Sequence, residues 1–169
     1  MSVALDITQS GPGQECEELE AHYLTALRMI ERLHRLLLDV IKDEFERVGR
    51  SDVNSVQALL LFNIGDAELT AGELRSRGYY LGSNVSYNLK KLVEAGYILH
   101  KRSDTDRRSV RVSLTDKGLE ISRLVNSLYE RQLASLEAVG GVSILQLKEM
   151  NASLVRLERF WADQIRFRL

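Results

Sequence analysis

Apolar residues in the first third of the chain recur at steps of three and four: Leu19, Tyr23, Leu27, Ile30, Leu33, Leu37, Ile41, Phe45 and Val48. That period puts them on one stripe of an amphipathic helix of roughly nine turns, from about Glu15 to a stop at Gly49. Ser51 or Asp52 is placed to cap a second helix through Val56, Leu59, Leu60 and Phe62, ended by Gly65. Thr70 with Glu73 three residues on is a capping-box pattern, so a two-turn helix is expected to reach Arg77 and stop at Gly78. After Tyr79-Tyr80-Leu81-Gly82, Ser83 can cap a further helix whose inward positions are Val85, Leu89 and Leu92 and whose stop is Gly96.

The period then shortens. Tyr97–Arg102 opens with β-favouring residues, Val110–Leu114 alternates apolar with polar, and the polar run Ser103–Ser109 lies between them, which predicts a β-hairpin. Two short helices followed directly by a hairpin make a winged helix-turn-helix. Thr115 can cap the next helix, with Ile121, Leu124, Leu128 and Leu136 on one stripe and a break at Gly140-Gly141; the last helix presents Leu147, Met150, Leu154, Leu157, Trp161 and Ile165. The expected fold is therefore mainly α with a small β-hairpin wing. Residues 51–115 form the winged helix-turn-helix, 15–50 and 116–169 a helical dimerisation region, and 1–14, with the only proline Pro12, a loose arm. The long helices carry more apolar surface than so small a module can cover, so a second copy is expected to pair along Leu19, Tyr23, Leu154, Leu157 and Trp161.

At 169 residues, 44% hydrophobic and 28% charged, the chain is about one domain with enough apolar mass to fold. Its one cysteine, Cys16, excludes an intrachain disulfide and fits a reducing compartment. No apolar run approaches the ~20 residues that cross a bilayer, so the expected place is the cytoplasm, with no membrane partner. The net charge of -1 hides an uneven division: residues 1–69 carry -7, residues 70–118 carry +5 and residues 119–169 carry +1. A basic block in an otherwise acidic chain suits a polyanion, because phosphate neutralisation needs local Lys and Arg.

Catalysis finds no support. There is no H-E-x-x-H motif and no glycine-rich phosphate loop, and His22 and His34 lie over three helical turns apart, so no catalytic residue, metal or cofactor is expected. Duplex DNA suits the basic block better. The helix from Ser83 would expose Asn84, Ser86, Tyr87, Asn88, Lys90 and Lys91, residue types that pair with adenine, guanine or phosphate. Arg107 and Arg108 at the hairpin tip suit a narrow minor groove, with a surface Asp–Arg pair across a turn as the alternative role for Asp106 and Arg108. Thr70, Arg75 and Arg77 are candidates for phosphate contacts, although a cap alone accounts for Thr70. Lys101, Arg102 and Arg111 add to them, but strand alternation keeps all three from facing one duplex.

The segment Asp106 to Gly118 fits D-x-R, five residues, L-T-x-x-G, and so resembles the wing signature of the multiple-antibiotic-resistance regulator (MarR) family. Val85, Leu92 and Gly96 fall where that family has its recognition helix and the glycine leading to the wing. The resemblance implies a homodimeric transcription regulator, a repressor on a pseudo-palindromic operator, in which Asp106 orients Arg108 toward the groove. It also implies a crevice for a small, often aromatic effector, walled here by Leu37, Ile41, Leu59, Leu60, Phe62 and Leu124, and in some members an oxidant-sensing N-terminal cysteine. Two other readings stand beside it: a protein-interaction module on the same scaffold that uses its acidic first third, and a small enzyme or ligand carrier.

Overall fold

The computed structural model describes residues 12–70, 73–74, 82–102 and 110–167, and divides the chain into two units, residues 1–59 and 60–169, with the division inside the second helix. In the first unit, α1 (Pro12–Arg47) starts three residues before the expected Glu15, so residues 12–14 of the supposed arm are helical and only 1–11 lie outside the described residues. Proline suits this first position because a helix leaves its first amides unbonded in any case. The end falls where the sequence put it. Gly49 takes φ +69°, the Arg50 N–H donates to the Phe45 carbonyl at 2.8 Å, and the Gly49 N–H donates to that of Glu46 at 3.1 Å.

α2 (Ser55–Ile64) starts later than expected, because neither Ser51 nor Asp52 caps it. Asn54 does: its side-chain oxygen accepts the Gln57 N–H at 2.9 Å, and the Gln57 side chain accepts the Asn54 N–H at 3.1 Å. Asp52 is engaged instead by the Arg50 guanidinium, with two contacts of 3.0 Å. Ala58, Leu59, Leu60, Leu61 and Ile64 are all buried, so the helix has no polar face to betray its period.

The second unit is organised on a three-stranded antiparallel sheet of order β1-β3-β2, formed by β1 (Leu69–Thr70), β2 (Ile98–Arg102) and β3 (Val110–Leu114). The hairpin strands match expectation, while β1 is new: two residues are too few to display a period. The Thr70–Glu73 capping box also forms, with the Glu73 N–H donating to Thr70 Oγ1 at 3.1 Å and the Thr70 N–H to the Glu73 carboxylate at 2.6 Å. The register sets Leu69 and His100 against Val112, and Ile98 against Leu114. Leu69, Ile98, Val112 and Leu114 are buried, whereas Leu99, Lys101 and Arg111 on the opposite face are exposed.

α3 (Gly82–Glu94) begins one residue before Ser83, which therefore lies in its first turn rather than capping it. α4 (Asp116–Leu136) is capped by Thr115 as expected. Its buried stripe is Gly118, Ile121, Val125 and Leu128; Leu124 and Leu136, expected on that stripe, are half-buried. Phe62 and Tyr129 meet edge to face, with ring centroids 5.0 Å apart. α5 (Ile144–Phe167) opens with a Ser143–Gln146 capping box and has no buried residue along its 24 positions. No helix among the described residues is long and apolar enough to cross a membrane.

Candidate nucleic-acid interface

α3 packs inward through Leu92, which is buried, and turns its polar residues outward. Tyr87 is 62% exposed, and Ser86, Lys90 and Lys91 are exposed as well, while Asn88 is half-buried, contrary to its expected outward position. The backbones of Ser83 and Asn84 lie in the first turn of α3, but their side chains are outside the described residues. Lys91 Nζ lies 5.9 Å from the centroid of the Tyr87 ring. One carboxylate, Glu94, bridges both lysines: Oε1 is 3.9 Å from Lys90 Nζ and Oε2 is 3.7 Å from Lys91 Nζ. Such exposed pairs are each worth only ~0–1 kcal/mol, so phosphates can displace them. The face offers a phenol, two ammonium groups and one carboxylate in a connected row.

The end of this helix is fastened to the start of α4 by residues that the sequence reading treated as a cap and a family signature. Gly96 takes φ +77° and reverses the chain, with the Tyr97 N–H donating to the Leu92 carbonyl at 2.8 Å. The Thr115 hydroxyl accepts the Gly118 N–H at 3.1 Å and donates to the Gly96 carbonyl at 2.8 Å, while the Thr115 N–H donates to the Tyr97 carbonyl at 3.0 Å. Lys117 Nζ donates to the Ala95 carbonyl at 3.1 Å and sits 4.0 Å from the centroid of the buried Tyr97 ring. Gly118 is required by proximity: a Cβ there would collide with the Tyr97 carbonyl oxygen and lie 3.2 Å from the Leu114 Cβ. The helix, the hairpin and α4 are thereby held in one fixed relation.

Behind α3 lies a cavity of about 390 Å³ lined by Ser86, Leu89, Lys90, Val93, Glu94, His100 and Val112. Periodicity marks Leu89 only as an ordinary inward position and does not mark Val93, so no sequence signal distinguishes this space. It is not lined by the expected effector-site residues. Of these, Ile41 and Leu59 are buried, Leu37 is half-buried and Phe62 stacks on Tyr129.

Arg75, Arg77, Asp106, Arg107 and Arg108 lie outside the described residues. Thr70 is described, and its oxygen serves the capping box. Of the residues expected at a dimer contact, Leu19 is 71% exposed and Leu154 42%; Tyr23 is also exposed, and Leu157 and Trp161 are half-buried. Among the described residues no group of three or more His, Cys, Asp or Glu is placed to hold a metal ion. Cys16 is exposed, and the His22 Nε2 lies 3.8 Å from Glu18, one turn away.

Comparison with known proteins agrees with this geometry. The winged helix DNA-binding domain family matches residues 53–118. The exopolysaccharide II synthesis transcriptional activator ExpG of Rhizobium meliloti (strain 1021) is 36% identical over 148 residues, covering 86% of this chain and 74% of that protein. A MarR family regulator from Listeria monocytogenes, solved in complex with 26mer DNA, is 19% identical with a TM-score of 0.69, covering 82% of this chain and 89% of its own. Streptococcus pneumoniae FabT, solved in complex with DNA, is 24% identical with a TM-score of 0.60, covering 83% and 98%. The first two of these proteins are named as transcription regulators. The chain belongs to the winged helix DNA-binding transcription regulators, and its fold is that of the MarR family structures.

Proposed function

We propose that this regulator binds a pseudo-palindromic operator as a homodimer, with α3 in the major groove and the hairpin tip in the adjoining minor groove. The observation that carries the reading is the outward row of Tyr87, Lys90 and Lys91 on a helix clamped to the wing strands through Thr115. In a fixed frame of that kind, the side chains of α3 read bases while the tip residues Arg107 and Arg108 take the groove beside them, Asp106 orienting Arg108. Ser83, Asn84, Ser86 and Asn88 complete the reading helix, and Thr70, Arg75 and Arg77 serve the phosphates. Dimerisation is supported by α5, where Leu154 is exposed and Leu157 and Trp161 are only half-buried within one chain, and by the exposed Leu19 and Tyr23 on α1. Two copies related by a two-fold axis would meet half-sites about one helical turn apart, ~10–10.5 bp.

Repression follows where the operator overlaps a promoter. The Rhizobium meliloti relative is named an activator, which favours the second reading, a site upstream of the promoter from which binding raises transcription. A small apolar effector would switch either mode only by binding the DNA-competent and incompetent dimers with different affinity. Selection of bound duplexes from a random library, with Arg108→Ala run in parallel, tests the whole. A two-fold-related motif that weakens by about 1–3 kcal/mol in the variant is the expected result. A folded protein that enriches no motif would instead support the interaction-module reading.

A further inference from the structure

The sheet register sets Lys101 of β2 directly opposite Arg111 of β3, and Thr70 of β1 directly opposite the same Arg111 from the other side. The three therefore form one row across the sheet, on the face that also exposes Leu99. Lys101 and Arg111 are both exposed. Like charges set directly across antiparallel strands repel, so a sheet does not gain stability from this pairing. Nor is it relieved locally. Neighbouring cations are engaged, Lys90 and Lys91 by Glu94 and Lys117 by the Ala95 carbonyl, but the side chains of Lys101 and Arg111 have no ion-pair or hydrogen-bond partner among the described residues. The Glu73 carboxylate accepts the Thr70 N–H. The Thr70 hydroxyl accepts from Glu73 and keeps its proton to donate.

We infer that Lys101 and Arg111, with the Thr70 hydroxyl beside them, hold a phosphate of the DNA strand that borders the groove entered by the wing. An anion between the two cations turns their repulsion into a bridge. The position fits, because the row lies one residue before the ends of the two strands, and a rise of about 3.3 Å per residue keeps it close to the base of the tip. A hairpin whose tip enters a groove crosses the sugar–phosphate strand at its stem. The inference rests on the proposed DNA-binding reading and resolves which hairpin cations act together: Lys101 with Arg111, on one face.

The test is a titration of the full-length protein against the selected operator and a scrambled duplex over a range of salt. The proteins compared are wild type, Lys101→Gln, Arg111→Gln, the double variant, and Lys91→Gln as a comparator on α3. Each substitution in the row lowers the slope of log K against log salt part of the way, and the double variant, which gives up the shared phosphate, lowers it by about 0.9, equally on both duplexes. The selected base pattern stays unchanged. The melting temperature of the free variants holds or rises, because a repulsive pair has been removed, so lost affinity cannot be misfolding. An unchanged slope, or a lowered melting temperature, overturns the inference. If Lys91→Gln weakens binding while the row variants do not, this inference alone fails; if the wild type shows no salt-dependent duplex binding, the DNA-binding reading fails with it.

Discussion

Replacing Thr115 by alanine removes two bonds made by one hydroxyl. The first caps α4 at the Gly118 N–H, at 3.1 Å, and loss of a threonine cap costs about 1 kcal/mol within a range of about 0.5–2. The second is the donation to the Gly96 carbonyl at 2.8 Å, worth about 0.5–1.5 kcal/mol net. The Thr115 N–H to Tyr97 bond is a backbone contact and survives. The sum is about 1–3.5 kcal/mol, which at about 2–4 °C per kcal/mol for a chain of this size lowers the melting temperature by roughly 2–14 °C. Denaturant titration followed by circular dichroism, at one protein concentration so that self-association stays fixed, measures it. Thr115→Ser keeps the hydroxyl and should lose little; Thr115→Val keeps the shape without the hydroxyl and should behave like alanine. A valine variant within about 0.5 kcal/mol of wild type would refute the reasoning, because shape rather than the two bonds would then hold the junction.

Gly118→Ala drives a Cβ into the Tyr97 carbonyl oxygen, a backbone atom that cannot swing aside, and should cost about 1–3 kcal/mol by the same titration. Leu154→Glu puts a charge on a residue already 42% exposed in one chain, so it should leave a lone chain's fold intact but convert a dimer to monomer in sedimentation velocity. Burial raises the Tyr129 phenol above its ordinary value, so the folded state holds that proton more tightly than the unfolded chain. Its contribution to stability is full below about pH 10 and is lost as pH rises through that value toward the folded one; Tyr129→Phe should flatten the alkaline fall in denaturant midpoint.

Most helix ends were legible because glycine and capping residues act within four or five positions of themselves. Gly49 and Gly96 stop their helices with positive φ, and Thr115 caps α4, each through bonds to near neighbours in the chain. Errors arose where two local signals competed. Ser51 and Asp52 looked like caps, but Arg50 holds Asp52, and the Asn54–Gln57 box takes the helix start. On α4 the leucines at 124 and 136 drew the stripe away from Val125, since both phases satisfy steps of three and four and only packing decides between them. β1 was invisible for a different reason: its two residues gain their strand state from β3, more than forty positions later.

The signature from Asp106 to Gly118 carries two kinds of information, and the structure separates them. Its second half, Leu114-Thr115-x-x-Gly118, is a joint. Leu114 is buried, Thr115 ties α4 to the end of α3, and Gly118 leaves room for the Tyr97 carbonyl. None of these side chains needs to touch DNA, yet the spacing between joint and tip is what makes the match informative. Five residues separate Arg108 from Leu114 along the chain, four of them in β3, so the motif sets the length of chain between Arg108 and the joint. A sequence pattern of this sort measures a lever arm, and a joint retained at the same spacing without the Asp and Arg would preserve the fold while losing the groove contact proposed for Arg108. That is the physical distinction between the regulator and the interaction module, and it makes Arg108 and Thr115 complementary probes: the first should change binding without stability, the second stability first and binding through it.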